Sequence, residues 1–343
     1  MNRKKFLGSL LPLGLPLAGL SGFPLKSTAH VTDPGQAKIP PYLKPGDSIG
    51  ITSPAGFILN EDIQPAFLKM QEWGFRVKIG NSIGKKDFSQ GGTAAERLED
   101  LQQMLDDKSI KAIMGARGGY GSVQLIDQIN FDHYEKNPKC IIGFSDITVL
   151  HSHINRNFNI ATIHSKMCNS FPADWSLAEQ VQKDSIQSIF ECLSGKKMSY
   201  NFSANTSNKK GKATGQLVGG NLKTIESLTG TASDLITDNK ILFVEDTGEY
   251  LYSLDRMFWH LKRSGKLAHL KALIIGGFKV KPDDPGEEFG KTLEQIVLEK
   301  VSKYNYPVCF DFPVGHQKNN LALKCGVVHE LTVSERSVQL SEM

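Results

Sequence analysis

Short apolar runs alternate with amphipathic stretches of helical period along most of the chain. Ser48–Thr52 reads as a first strand, closed by the turn Ser53-Pro54-Ala55-Gly56. A helical pattern over 60–73 stops at Gly74, and Phe75 to Ile79 reads as a second strand. Thr93 to Leu105 predicts a charged amphipathic helix, with Thr93 and Glu96 spaced as a capping box. Lys111 to Met114 predicts a strand, followed by a glycine-rich turn and a helix to about Ile129. Cys140 to Phe144 is the next apolar strand, and Asp146 to Asn155 the next helix. This rhythm defines an α/β fold with a parallel sheet covered by helices on both faces, in which a site belongs at the carboxyl ends of the strands.

Beyond a helix at about 176–193, the polar stretch Met198 to Lys212 reads as a connection between domains. The second half has a more mixed rhythm. Strands are expected at Gly215–Leu217, Ile241–Val244, Ala272–Ile275, Val327–Thr332 and Ser337–Leu340, with helices near 252–263 and 288–302. The domain reading is a leader at 1–29, an α/β domain at 30–175, a connecting helix and linker at 176–212, and a β-rich domain at 213–343.

The leader changes the charge picture. Arg3, Lys4 and Lys5 precede an uncharged run from Phe6 to Leu25, and Ser27-Thr28-Ala29 supplies small residues for cleavage. Pro12, Pro16 and Pro24 count against a spanning helix, so cleavage near Ala29 is expected over retention as an anchor. The expected destination is the periplasm, by the general secretory route, with no stable membrane insertion afterwards. The chain has 40 Lys+Arg and 36 Asp+Glu; residues 1–29 hold four of the basic residues and no acid, so the mature part is formally neutral. Its apparent basicity therefore gives no reason to expect nucleic-acid binding. Five widely spaced cysteines, Cys140, Cys168, Cys192, Cys309 and Cys325, form no CxxC pair, which argues against metal ligation; buried free thiols are favoured over one or two disulfides.

Four segments carry candidate chemistry. In Ile142-Gly143-Phe144-Ser145-Asp146-Ile147 a strand ends at a glycine and a serine stands at the start of a helix. This is the context of a nucleophile beside free helix N–H groups, and equally of a serine that caps the helix. Arg117-Gly118-Gly119-Tyr120-Gly121 follows a strand and could present amides to a ligand or half of an oxyanion hole, or form a tight turn. Phe243-Val244-Glu245-Asp246 is a strand ending in two carboxylates, and Phe312-Pro313-Val314-Gly315-His316 a loop presenting a histidine. A serine nucleophile needs a base and the base an acid, roles that Ser145, His316 and Glu245 could fill. His151 and His153, two apart on a helix, make a poor metal pair; His260 is expected to pack or be solvated, Glu287-Glu288 to be solvated, and Asp255-Arg256 to form an ion pair.

Together with Leu43-Lys44-Pro45-Gly46-Asp47, Glu96-Arg97, Gly219-Gly220-Asn221-Leu222 and Cys325-Gly326, these segments resemble the L,D-carboxypeptidases, the muramoyltetrapeptide carboxypeptidases, whose relatives include microcin C self-immunity hydrolases. The resemblance implies a flavodoxin-like amino-terminal domain, a smaller β-rich, barrel-like carboxy-terminal domain and a homodimer. It implies a Ser145–Glu245–His316 triad, oxyanion amides from Asp146 and Gly119, a murein tetrapeptide substrate, and no metal or organic cofactor. The alternatives are the same triad acting on another amide, such as a peptide nucleotide, and an exported peptidoglycan binder without catalysis. Where family members often show His-Gly-Pro, this chain has Ile163-His164-Ser165-Lys166-Met167.

Overall fold

A computed structural model describes residues 37–343. The leader and its expected cleavage near Ala29 lie outside these residues. Two sheets organise the chain. The first holds β1 (Ser48–Thr52), β2 (Arg76–Ile79), β3 (Ile110–Gly115), β4 (Cys140–Gly143) and β5 (Thr162–His164) in parallel, in the order 2-1-3-4-5. That is the flavodoxin order. The second holds β6 (Ser199–Ser203), β7 (Gly211–Asn221), β8 (Ile241–Glu249), β9 (Ala272–Val280), β10 (Val308–Cys309), β12 (Val328–Val333) and β13 (Ser337–Glu342), in the order 10-9-8-7-12-13-6. The remaining strand, β11 (Leu323–Cys325), crosses over to pair antiparallel with β5 at the edge of the first sheet.

Burial explains the layers. Helices Asn60–Glu72 and Gln180–Leu193 cover one face of the first sheet, where Ile63, Met70, Ile186 and Leu193 meet Ile49 and Ile51. Helices Ala94–Asp106 and Thr148–Phe158 cover the other, where Leu101, Met104 and Ile154 meet Ile113 and Ile141. The predicted capping box closes the start of Ala94–Asp106: Glu96 N donates to Thr93 Oγ1 at 3.3 Å and Thr93 N to Glu96 Oε2 at 2.9 Å.

Along β8 alternate residues serve two cores. Leu242 and Val244 pack with Phe258 and Ile296 of helices Leu251–Arg263 and Leu293–Val301, while Ile241 and Phe243 pack with Phe312, Leu331 and Leu340. Each such buried side chain contributes about 1.5–3 kcal/mol. Strand β7 is shared: Gly211 to Gln216 pair with β12 and Leu217 to Asn221 with β8. Just before it, Lys209 exchanges main-chain bonds with Val308 of β10 (2.9 and 3.0 Å), which turns the sheet back on itself, as the barrel-like expectation requires.

Three sequence expectations are corrected. The helix expected up to Ile129 is two short 3-10 turns, Ser122–Gln124 and Ile126–Gln128, whose N–H groups bond three rather than four residues back: Gln124 to Gly121 O at 3.0 Å, Leu125 to Ser122 O at 3.1 Å and Gln128 to Leu125 O at 2.8 Å. The polar stretch 198–212 is not a plain connection: β6 lies within it and pairs with β13, its alternating residues needing only one covered face. Asp255 pairs with Lys300 of the neighbouring helix rather than with Arg256, which lies over the ring of Tyr252. All five cysteines are buried free thiols.

Candidate active site

The site is assembled at the carboxyl ends of β3 and β4. From Gly143 the chain passes through an extended Phe144 (φ −151°, ψ −170°) into Ser145 at φ +59°. A residue with a Cβ is held in this left-handed region at a cost of order 1–3 kcal/mol, a strain characteristic of functional turns. A 3-10 turn, Ser145–Ile147, then leads into helix Thr148–Phe158. The cap position of that turn falls on Phe144, so the helix-capping alternative for Ser145 does not hold. Asp146 occupies its second position, and the first N–H groups of a helical turn have no acceptor of their own.

The glycine-rich loop after β3 lies directly against this serine. A Cβ on Gly118 would stand 2.9 Å from both Cβ and Oγ of Ser145, a contact only glycine avoids. The loop is fastened from behind. Gly56 N donates to Gly118 O at 3.0 Å and Arg117 Nη1 to Phe57 O at 2.9 Å. Arg97, fully buried, donates to Pro54 O at 2.6 Å, Gly92 O at 3.2 Å and Gln124 Oε1 at 2.6 Å. The Glu96-Arg97 and Ser53–Gly56 motifs thus hold the loop. The carboxylate of Asp146 accepts from Ser122 N at 2.8 Å; burial pushes its pKa up, against the pull of Ser122, Gly121 and Arg97.

Glu245 and His316 meet from the second sheet. Pairing of β8 with β9 shifts register between Val244 and Asp246, so Glu245 sits at an irregularity that re-aims its side chain. The side chain is fully buried. The loop carrying His316 comes close because Gly315, at φ +99°, has no Cβ; one there would lie 2.4 Å from Glu245 Cβ. Glu245 Oε2 then accepts from His316 N at 3.2 Å and lies 2.5 Å from His316 Nδ1. Burial alone would raise the Glu245 pKa, but His164 and His316 more than offset it and hold it at about 2. His316 is the firm hydrogen-bond partner; His164 Nε2 is 4.0 Å from Oε1, too long for a hydrogen bond. The rings of His316 and Phe144 are 4.8 Å apart, which brings the histidine beside the residue preceding Ser145.

A cavity of about 380 Å³ is lined by Ser145, Asp146, Gly119, Tyr120, Asn221 and Asp246, among others. Asp246 accepts from Asn221 Nδ2 (3.0 Å), Lys223 N (2.9 Å) and Thr247 N (2.7 Å), yet burial, aided by Glu245, raises its pKa to about 6. Lys166 Nζ donates to Gln317 O at 2.6 Å, and burial together with Lys279 lowers its pKa to about 8. A larger cavity of about 630 Å³ lies at the opposite, amino-terminal end of the first sheet, bordered by Ile110 and Lys139, away from this chemistry.

Every residue expected in the site thus falls in one region: Ser145, Asp146 and Gly119 on one cavity, Glu245 and His316 hydrogen-bonded behind Phe144. The sequence reading missed the roles of Arg97, Asn221, Asp246 and His164; the Gly-Gly-Asn and Glu-Asp motifs were the available signals. Three further histidines among the described residues take other partners. His151 Nε2 bonds Gly143 O at 2.9 Å, burial lowering its pKa to about 3, His153 bonds Ser233 at 2.9 Å and His260 bonds Glu226 at 2.8 Å. Among the described residues no group of three or more His, Cys, Asp or Glu could hold a metal ion.

A strained serine between a parallel strand and a helix, with a buried glutamate bonded to a half-buried histidine that packs near the preceding Phe144, has the arrangement of a serine hydrolase. Residues 49–165 match the family described as LD-carboxypeptidase N-terminal domain, and residues 214–331 its C-terminal domain. The chain is 31% identical over 306 residues to a probable murein peptide carboxypeptidase of Bacillus subtilis, covering 87% of this chain and 92% of that one. It is 29% identical over 284 residues to a murein tetrapeptide carboxypeptidase of Pseudomonas aeruginosa, covering 81% and 91%. The crystal structure of a muramoyltetrapeptide carboxypeptidase from Oxalobacter formigenes matches with a TM-score of 0.77 at 25% identity, over 86% of this chain and 98% of that one. The chain belongs to the LD-carboxypeptidase family of serine carboxypeptidases.

Proposed function

We propose that the protein removes the terminal D-alanine from murein tetrapeptides, leaving the tripeptide, with Ser145, His316 and Glu245 as its triad. The observation that carries this reading is the 2.5 Å contact between His316 Nδ1 and the buried Glu245, beside the strained Ser145. It is supported by the names of the relatives, which point to murein peptides.

In this reading Glu245 fixes the tautomer of His316, leaving Nε2 free to take the Ser145 proton. Oγ attacks the carbonyl carbon of the bond to D-alanine, and the amides of Asp146 and Gly119 hold the oxyanion, each worth about 3–4 kcal/mol. The tetrahedral species collapses as His316 returns the proton to the departing amine. Water, activated by the same histidine, then cleaves the acyl-serine and restores the enzyme.

Mass spectrometry of a murein tetrapeptide incubated with the purified protein, beside Ser145→Ala, tests the proposal. Loss of one alanine with the wild type alone is expected. No loss with either sinks the substrate and turns attention to other amides, such as peptide nucleotides. Work on wall peptides outside the cytoplasmic membrane follows from the leader at 1–29; recovery of intact protein in the cytosolic fraction would overturn it. A homodimer is expected, and light scattering at the mass of one chain would exclude it.

A further inference from the structure

Glu245 faces a second histidine that the triad does not use. His164 ends β5, with main-chain partners on both sides: Gly143 of β4 and Leu323 of β11. It is fully buried. Its ring lies nearly edge-on between Phe243, at 5.0 Å, and Phe144, at 5.8 Å. One of these precedes Ser145 and the other stands two residues before Glu245, so His164 touches the supports of both.

Among the described residues neither ring nitrogen of His164 has a hydrogen-bond partner, and neither does Glu245 Oε1. A buried donor and a buried carboxylate oxygen left unsatisfied face to face are costly in a dry interior. His164 Nε2 and Glu245 Oε1 are 4.0 Å apart. A movement of about 1 Å by either side chain would bring them within hydrogen-bonding range, and catalytic hydrogen bonds are often long until substrate binds.

We propose that His164 is a positioning residue: in the working enzyme its Nε2–H donates to Oε1 of Glu245 and completes a His–Glu–His relay. The proposal rests on the triad reading above. Oε2 is taken by His316, so a donor on Oε1 pins the carboxylate at both ends. The carboxylate then neither rotates away nor takes up the proton that His316 receives from Ser145. The charged and titratable groups around this pair are few. His151 lies behind His164 with ring centroids 6.4 Å apart, Lys166 follows two residues later and acts on Glu245 through space, and Asp246 is its chain neighbour.

The test compares His164→Phe, which keeps a ring between the two phenylalanines but removes both nitrogens, with His164→Gln, which keeps an N–H near the position of Nε2. The readout is the pH dependence of Ser145 labelling by a fluorophosphonate, a reaction that needs His316 as base but no natural substrate. Wild type and His164→Gln are expected to share an acid limb. In His164→Phe the plateau rate should fall by about tenfold or more, as when outer-shell partners of metal ligands are lost. Its acid limb should also move to higher pH, because a buried carboxyl without that donor binds a proton more readily.

A His164→Phe profile that overlays the wild type overturns the proposal, as does a His164→Gln profile no better than that of His164→Phe. Should His164→Phe fail to fold, nitrogen-15 NMR of wild-type histidines decides the matter, since an Nε2 of His164 without its proton also overturns it. Labelling that follows the expected pattern without release of D-alanine would sink the substrate and leave His164 in its role. An unlabelled wild type would sink the triad on which both rest.

Discussion

The main-chain N–H of Asn221 donates to Oγ1 of Thr148 at 3.0 Å, fastening the end of β7 to the helix that follows Ser145. This contact ties the strand beside Glu245 to the element that carries the serine. Thr148→Val removes the acceptor and leaves a buried N–H unpaired. A stability loss of about 1–3 kcal/mol is expected, measured by urea unfolding, together with a fall in kcat. Unchanged stability would show that the two halves are held by other contacts.

Gly315 offers a sharper test of the Glu–His geometry. In Gly315→Ala the new methyl would stand 2.4 Å from Glu245 Cβ at a backbone φ of +99°. The backbone conformation alone costs about 1–3 kcal/mol, and the loop must withdraw, carrying His316 with it. The melting temperature should drop and kcat should fall by more than KM changes. Wild-type kcat in this variant would show that His316 does not depend on the close approach.

Asp246 provides a pH prediction. Its pKa rises from 3.8 in the unfolded chain to about 6 in the fold. The folded state therefore holds this proton more tightly. The stability it contributes is full below about pH 3.8 and is lost as pH rises through 6. Asp246→Asn does not titrate, so from pH 4 to 7 the stability difference should move in favour of the variant by roughly 1–3 kcal/mol. Urea unfolding of both proteins across that range checks the sign; a constant difference would refute it.

The cysteines should be inert in the native protein. All five are buried, and burial pushes the thiols of Cys140 and Cys325 up to about 12 and the other three higher still. The thiolate is the reactive form. A colorimetric disulfide reagent is expected to find no reactive thiol in the folded protein and five in guanidinium. Any fast-reacting thiol in the native state would mark a local opening.

Much of this was legible in the residues. The runs Ser48–Thr52, Cys140–Phe144 and Ile241–Val244, and Lys111–Met114 apart from its exposed Lys111, became strands because they are apolar enough to be covered on both faces. Phe75–Ile79 instead became the edge strand β2, with Arg76, Lys78 and Ile79 exposed. The Thr93–Glu96 box marked a real helix start, since both reciprocal bonds are local. What stayed hidden depends on partners distant in sequence. Strand β11 is three residues long and exists only because β5 offers it an edge. Strand β6, polar on one side, needs β13 to declare it. The four chemical segments were visible one by one, but nothing in Arg97 announced that its guanidinium would hold the glycine loop. Nor did His164 announce that it would face Glu245, because that depends on the packing of β5 against β8.

The position of β11 also bears on how the molecule comes into being. When a ribosome has delivered β5, the first sheet has all its parallel strands but an open edge, and the segment that closes it is roughly 160 residues further on. At a typical 5–20 residues per second the nascent chain waits about 8–30 s with that edge bare. Glu245 and His316 arrive within the same interval, His316 only a few residues ahead of the closing strand. A half-made chain is thus a sheet with a sticky border and a lone serine, and in the proposed triad hydrolytic competence arrives almost together with the strand that seals the border.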